Sequence, residues 1–146
     1  MSAALSDIVS FLNQELRTAE IVDYPGAING LQLANSGTVP RIVAAVDASL
    51  PVIEAAAAAG AGLLIVHHGM FWQGAQPITG ALHRKLKSAM EADLAIYSSH
   101  LRDFTTGTAS DNTDGSGRFR SRGAEMHRAF HGLPEACRKG VSIPIP

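Results

Sequence analysis

The sequence predicts an α/β fold of three layers, a mostly parallel sheet with helices on both faces. Three observations carry that expectation. The apolar runs "RIVAAVD" (41–47), "GLLIVHH" (62–68) and "DLAIYSSH" (93–100) are nearly continuous instead of alternating, as in strands buried on both sides. Segments with helical periodicity separate them, giving the order β-α-β-α-β. No internal repeat offers another architecture.

The elements follow in chain order. Leu5, Ile8, Leu12 and Leu16 recur at helical spacing, so residues 3–16 read as an amphipathic helix. "RIVAAVD" is the first buried strand. "SLPVIEAAAAAG" (49–60) then reads as a helix: Ser49 suits a cap, Pro51 the first turn and Gly60 the stop. Its alanine run is helix former and close packing. "GLLIVHH" is the second strand. Residues 80–91, "GALHRKLKSAME", place Leu82, Leu86 and Met90 along one helical face. The third strand is "DLAIYSSH".

Composition narrows the function classes. The chain has 146 residues, 46% of them hydrophobic, and a net charge of −1. That is one ordinary domain with no overall field for nucleic acid or an anionic membrane. Cys137 is the lone cysteine, which rules out an internal disulfide framework and fits a reducing compartment. The N-terminal stretch carries Asp7 and Glu15 and no basic region, unlike a secretory signal. No run approaches the roughly 18 apolar residues of a membrane span. A cytoplasmic protein is expected.

These averages hide a break near Leu101. Residues 1–101 hold five Lys and Arg against eight Asp and Glu, a net of −3; residues 102–146 hold seven against five, a net of +2. In the second part the only Val, Ile or Leu residues are Leu133, Val141, Ile143 and Ile145. A well-patterned α/β domain over 1–101 and a polar, disordered tail over 102–146 are therefore expected from composition.

In open parallel sheets, ligands gather beyond the carboxyl ends of the strands. Those ends carry Asp47, the pair His67–His68, and His100. Asp47 reads first as a cap or turn residue, and His100 alone as a satisfied loop histidine. The adjacent pair has two open readings, a polar surface turn and a pair of metal ligands. Neutral imidazole suits several transition metals. Consecutive strand residues point to opposite faces, so both reach one site only if the backbone turns, which Gly69 permits. Phe71 and Trp72 read as a lid over the sheet edge or a subunit contact. "GAINGLQ" (26–32) lacks P-loop spacing and its lysine. His127 and His131, beside Glu125, read as chance spacing.

Taken together, "DYPGAINGLQLANSG", "VAAVDASLPVIEAAAAAGAGLLIVHHGMFW", "PITG" and "IYSSHL" resemble the GTP cyclohydrolase I type 2 homologues, the NIF-three-like dinuclear metal proteins. The resemblance covers residues 6–101, so 1–101 is expected to be a metal-site domain and 102–146 a non-homologous tail. It implies a site for two divalent metal ions (zinc, iron and manganese are not distinguished) and ring-shaped homo-oligomers, commonly hexamers. It assigns His67 and His68 as metal ligands. A further carboxylate ligand is expected four residues after His100, where this chain has Phe104; Asp103 is one residue early. A late His and Glu of the family pattern have no counterpart.

Three functions follow from the resemblance. The first is a metal-dependent hydrolase acting on a nucleotide-like small molecule, with His100 as a proton shuttle or a support for the ligands. The second is a non-catalytic metal-binding scaffold. The third is an inactive fragment, because two histidines cannot hold two ions that each need about four to six ligands. Composition and resemblance change at the same place, so residues 102–146 are expected to come from a shifted reading frame, the alternative being a genuine short variant with a new tail. The isolated chain is expected to be unstable or to associate, and residues 105–123 to be disordered.

Overall fold

The computed structural model describes residues 2–20 and 23–100. A short strand β1 (Ala3–Ala4) leads into helix α1 (Leu5–Glu15), and a 3-10 turn spans Thr18–Glu20. Strands β2 (Gly30–Leu33), β3 (Thr38–Val39) and β4 (Ile42–Asp47) follow, then helix α2 (Leu50–Ala58), strand β5 (Leu63–His68), helix α3 (Gly80–Glu91) and strand β6 (Ala95–Ser98). The main sheet has the order β2-β6-β5-β4. β4 pairs with β5, and β5 with β6, in parallel. β1 and β3 form a separate antiparallel pair. The three strands and three helices expected from the sequence are all present.

The continuous apolar runs have a direct cause. Ile42, Leu63, Ile65, Ala95 and Tyr97 pack on one face of the sheet with Leu5, Ile8, Leu12 and Leu16 of α1. Val43, Ala45, Leu64, Val66 and Ile96 pack on the other with Ile53 and Ala56 of α2 and Ala89 of α3. Period-2 alternation is intact, but both faces are covered, so both sets are apolar.

Helix ends explain the chain reversals. After α2, Gly60 adopts φ +68°; its N–H reaches the Ala57 carbonyl at 2.9 Å and Ala61 N–H the Ala56 carbonyl at 3.1 Å. That is a Schellman stop, as Gly60 suggested. Asp93 plays the same part after α3, with φ +50° and the bond from Leu94 N–H to Ala89 O at 2.9 Å. Ser49 does occupy the N-cap position of α2, yet its side chain makes no capping hydrogen bond. The expectation of a side-chain cap is corrected there.

The sequence reading missed β2. It runs antiparallel to β6 at the sheet edge, and its register slips between Leu31 and Leu33. Gln32 is the extra residue of that bulge. Bulges re-aim side chains, and this one sends Gln32 towards the segment after the two histidines.

Candidate metal centre

The carboxyl ends of the parallel strands carry the chemistry. β4 ends on Asp47, β5 on His67 and His68, and His100 lies two residues past β6. His67 is buried at 4% exposure, while His68 and His100 are intermediate. Although His67 and His68 are neighbours in a strand, their ring centroids lie 4.5 Å apart. The His100 ring stands 4.8 Å from that of His67 and 5.5 Å from that of His68. One ring nitrogen from each of the three lies within 4.8 Å of the others.

Each Nδ1 faces an oxygen acceptor. That of His67 meets the Ser99 carbonyl at 3.2 Å, that of His68 the Asp47 Oδ1 at 2.6 Å, and that of His100 the Asp23 Oδ2 at 2.9 Å. A carbonyl or carboxylate oxygen can only accept, so the proton sits on Nδ1. A neutral imidazole in that tautomer keeps its lone pair on Nε2, the arrangement that metal-binding histidines use.

This donor set fits a metal ion. Nitrogens bound to one tetrahedral zinc, with bonds of about 2.0–2.1 Å, stand about 3.3–3.4 Å apart. The ring nitrogens here lie within 4.8 Å of one another, so an ion would have to draw them closer by side-chain rotation. Three nitrogens with an open fourth position satisfy one ion, and a second ion needs further ligands.

The segment 23–32 braces the cluster from outside. The Asp23 side chain is 6% exposed. Burial raises its pKa, but hydrogen bonds from Asn29, the Tyr24 N–H and His100 hold the carboxyl below its ordinary value. Gln32 Oε1 accepts from Met70 N–H at 2.8 Å, and Gly74 N–H donates to Gly26 O at 3.1 Å. Gly69 is a glycine for a different reason from the one expected. Its φ is not in the left-handed region; a Cβ there would overlap the Gln32 amide. The Gln32 amide occupies the space that a side chain here would take.

Trp72 meets His100 edge-on at 4.6 Å and His68 at 5.9 Å between ring centroids. Its Nε1–H donates to Gly69 O at 3.0 Å. Tyr24, 70% exposed, lies against His100 at 6.5 Å.

The structure thus brings together His67, His68 and His100, and sets Asp47 behind His68 as an acceptor. Asp103, Phe104, His127, His131 and the whole expected tail lie outside the described residues. Sequence reasoning missed Asp23, Asn29 and Gln32 as site residues. Their one signal is the "DYPGAINGLQ" segment, which is excluded as a P-loop and serves only for the resemblance.

Among the described residues, no helix is long and apolar enough to cross a membrane.

Known proteins agree with this fold. A GTP cyclohydrolase 1 type 2 homolog of Deinococcus radiodurans is 42% identical over 96 residues, covering 65% of this chain and 35% of that protein. The Escherichia coli K12 protein of the same name is 38% identical over 97 residues, covering 66% and 38%. A crystal structure of a Thermus thermophilus protein superposes with a TM-score of 0.64 at 33% identity, covering 68% of this chain and 40% of that one. Reduced HcgD from Methanocaldococcus jannaschii superposes at 0.59 with 26% identity, covering 68% and 40%. The chain therefore spans well under half the length of these relatives. The Duf34/NIF3 (NGG1p interacting factor 3) family model matches residues 3–110, a little further than the motifs alone delimit. Because that model matches residues 3–110 of 146, this chain belongs to the Duf34/NIF3 family.

Proposed function

We propose that residues 1–101 form a domain that binds a divalent transition-metal ion, zinc, iron or manganese, through His67, His68 and His100. One observation carries the reading: three imidazoles from two strand ends converge within 4.8 Å, and each has its Nδ1 proton engaged by oxygen. His100, expected as a proton shuttle, becomes the third nitrogen ligand. Asp103 remains a candidate carboxylate.

A bound ion would supply Lewis acidity towards a substrate oxygen. Asp47 and Asp23 orient two of the imidazoles, and Trp72 limits water on one side. The name of the relatives, GTP cyclohydrolase 1 type 2 homolog, supports hydrolysis of a nucleotide-like substrate, and we extend that reading to this chain as a cytoplasmic homo-oligomer. Two ions per complete site require ligands beyond the described histidines.

A non-catalytic metal-binding scaffold is the second reading. It is favoured by a donor set that, among the described residues, suffices for a single ion.

The test is zinc, iron and manganese titration of the whole chain beside His67→Ala, His68→Ala and His100→Ala, followed by nucleotide hydrolysis at matched metal content. Binding lost in the variants supports the site, and turnover separates hydrolase from scaffold. Undiminished binding in all three variants excludes the assignment.

A further inference from the structure

We propose that Asp23 and Asn29 are positioning residues that latch His100 into the histidine cluster; this rests on the metal-binding reading above. His100 lies beyond the last residue of β6, Ser98, where sheet pairing no longer holds the chain. Ser99 N–H still bonds Val66 O at 3.0 Å. The next N–H, that of His100, donates to Asn29 Oδ1 at 2.6 Å. The same asparagine donates through Nδ2 to Asp23 Oδ2 at 2.9 Å, and that oxygen accepts from His100 Nδ1 at 2.9 Å. The three residues close a ring of hydrogen bonds. Asn29 fixes the His100 backbone and Asp23 fixes its imidazole.

The chemistry favours orientation over stability as the purpose. A carboxylate at 6% exposure is costly unless its oxygens are satisfied, and Tyr24 N–H occupies the other oxygen at 2.7 Å. A neutral acceptor would hold the backbone equally well. A carboxylate adds a strong preference for the proton on Nδ1 and raises the basicity of the ligand. Gly30, with φ +97°, turns the chain directly after Asn29 and lets it enter β2, so the edge strand and the latch are one device.

The experiment uses the full chain with Co(II) as probe. Asp23→Ala and Asn29→Ala should weaken Co(II) binding about 10–100-fold and move the visible bands towards those of His100→Ala. Asp23→Asn, which keeps an acceptor in place, should recover part of the loss. Binding of Asp23→Ala within about twofold of the parent, with unchanged bands, overturns the proposal. If circular dichroism shows that Asp23→Ala does not fold, the ring ¹⁵N shifts of His100 in the metal-free parent decide. A proton on Nδ1 is the expected result, and one on Nε2 overturns the latch. A parent that binds no Co(II) defeats the metal reading alone, and the same ¹⁵N measurement still tests the latch.

Discussion

Asp47 and His68 stand directly opposite one another across β4 and β5, and the carboxylate receives the imidazole Nδ1–H at 2.6 Å. Register alone makes this contact: five residue pairs of parallel ladder place the last residues of both strands side by side. Both side chains are about half exposed, Asp47 at 55% and His68 at 43%. Exposed pairs of this kind contribute little to stability, typically about 0–1 kcal/mol. Their value lies in the direction of the imidazole.

Asp47→Ala should therefore separate binding from stability. Metal affinity is expected to fall about tenfold or more, with the melting temperature within a few degrees of the parent. Parallel metal titration and thermal melts check both halves. An unchanged affinity would show that Asp47 is only a turn residue.

Gly69→Ala should displace Gln32. The new methyl overlaps the Gln32 amide, and the bond from Met70 N–H to Gln32 Oε1 at 2.8 Å is lost. The flexible Gln32 end can swing aside, so the expected cost is that of its displaced hydrogen bonds, about 0.5–1.5 kcal/mol, read by urea unfolding. Gln32→Ala combined with Gly69→Ala should cost less than the two single changes added together, because the clash is gone.

Tyr97→Phe tests the α1 face. The fully buried Tyr97 hydroxyl donates to Asn13 Oδ1 at 2.9 Å and accepts from Thr18 at 2.6 Å. Asn13 can turn to water, but Thr18 is buried, so a loss of about 1–2 kcal/mol is expected. Burial raises the Tyr97 pKa, against a smaller opposing effect of the Thr18 bond. The unfolded chain ionises first, near pH 10, so this tyrosine's contribution falls as pH rises above that value. Melts between about pH 8 and 11 should show a steeper alkaline decline for the parent than for Tyr97→Phe.

Asp93 gives the acid-side counterpart. Its carboxylate accepts from the Ser36 hydroxyl and from Ser36 N–H, which hold its pKa below the ordinary value. Stability from this group is present above the unfolded value of about 3.9 and is lost as pH falls through the lower native one. Asp93→Asn keeps the left-handed backbone tolerable. Its melting temperature should lie below the parent's at pH 7 and converge with it in acid. Equal melting temperatures at both pH values would remove Asp93 from the account.

How much of this protein is legible in its sequence depends on the distance over which each interaction acts. The runs ending at Asp47 and His68, and the stop at Gly60, concern a few adjacent residues. Periodicity and local backbone preference report these directly, so the parallel strands, their helices and the histidine pair could all be read. β2 escaped because "GLQL" is four residues long with a bulge at Gln32, too short and irregular for a period to register. The roles of Gly69 and of Asp23 escaped for a deeper reason. Gly69 is confined by a side chain 37 positions earlier in the numbering, and Asp23 meets His100 across a separation of 77. No pattern within one segment encodes such a meeting. It exists only because β2 pairs antiparallel with β6 and carries the 23–32 segment over the carboxyl ends of the parallel strands. The sequence by itself determined which residue types stand at those ends; the path of the chain between them decided which oxygen each imidazole faces.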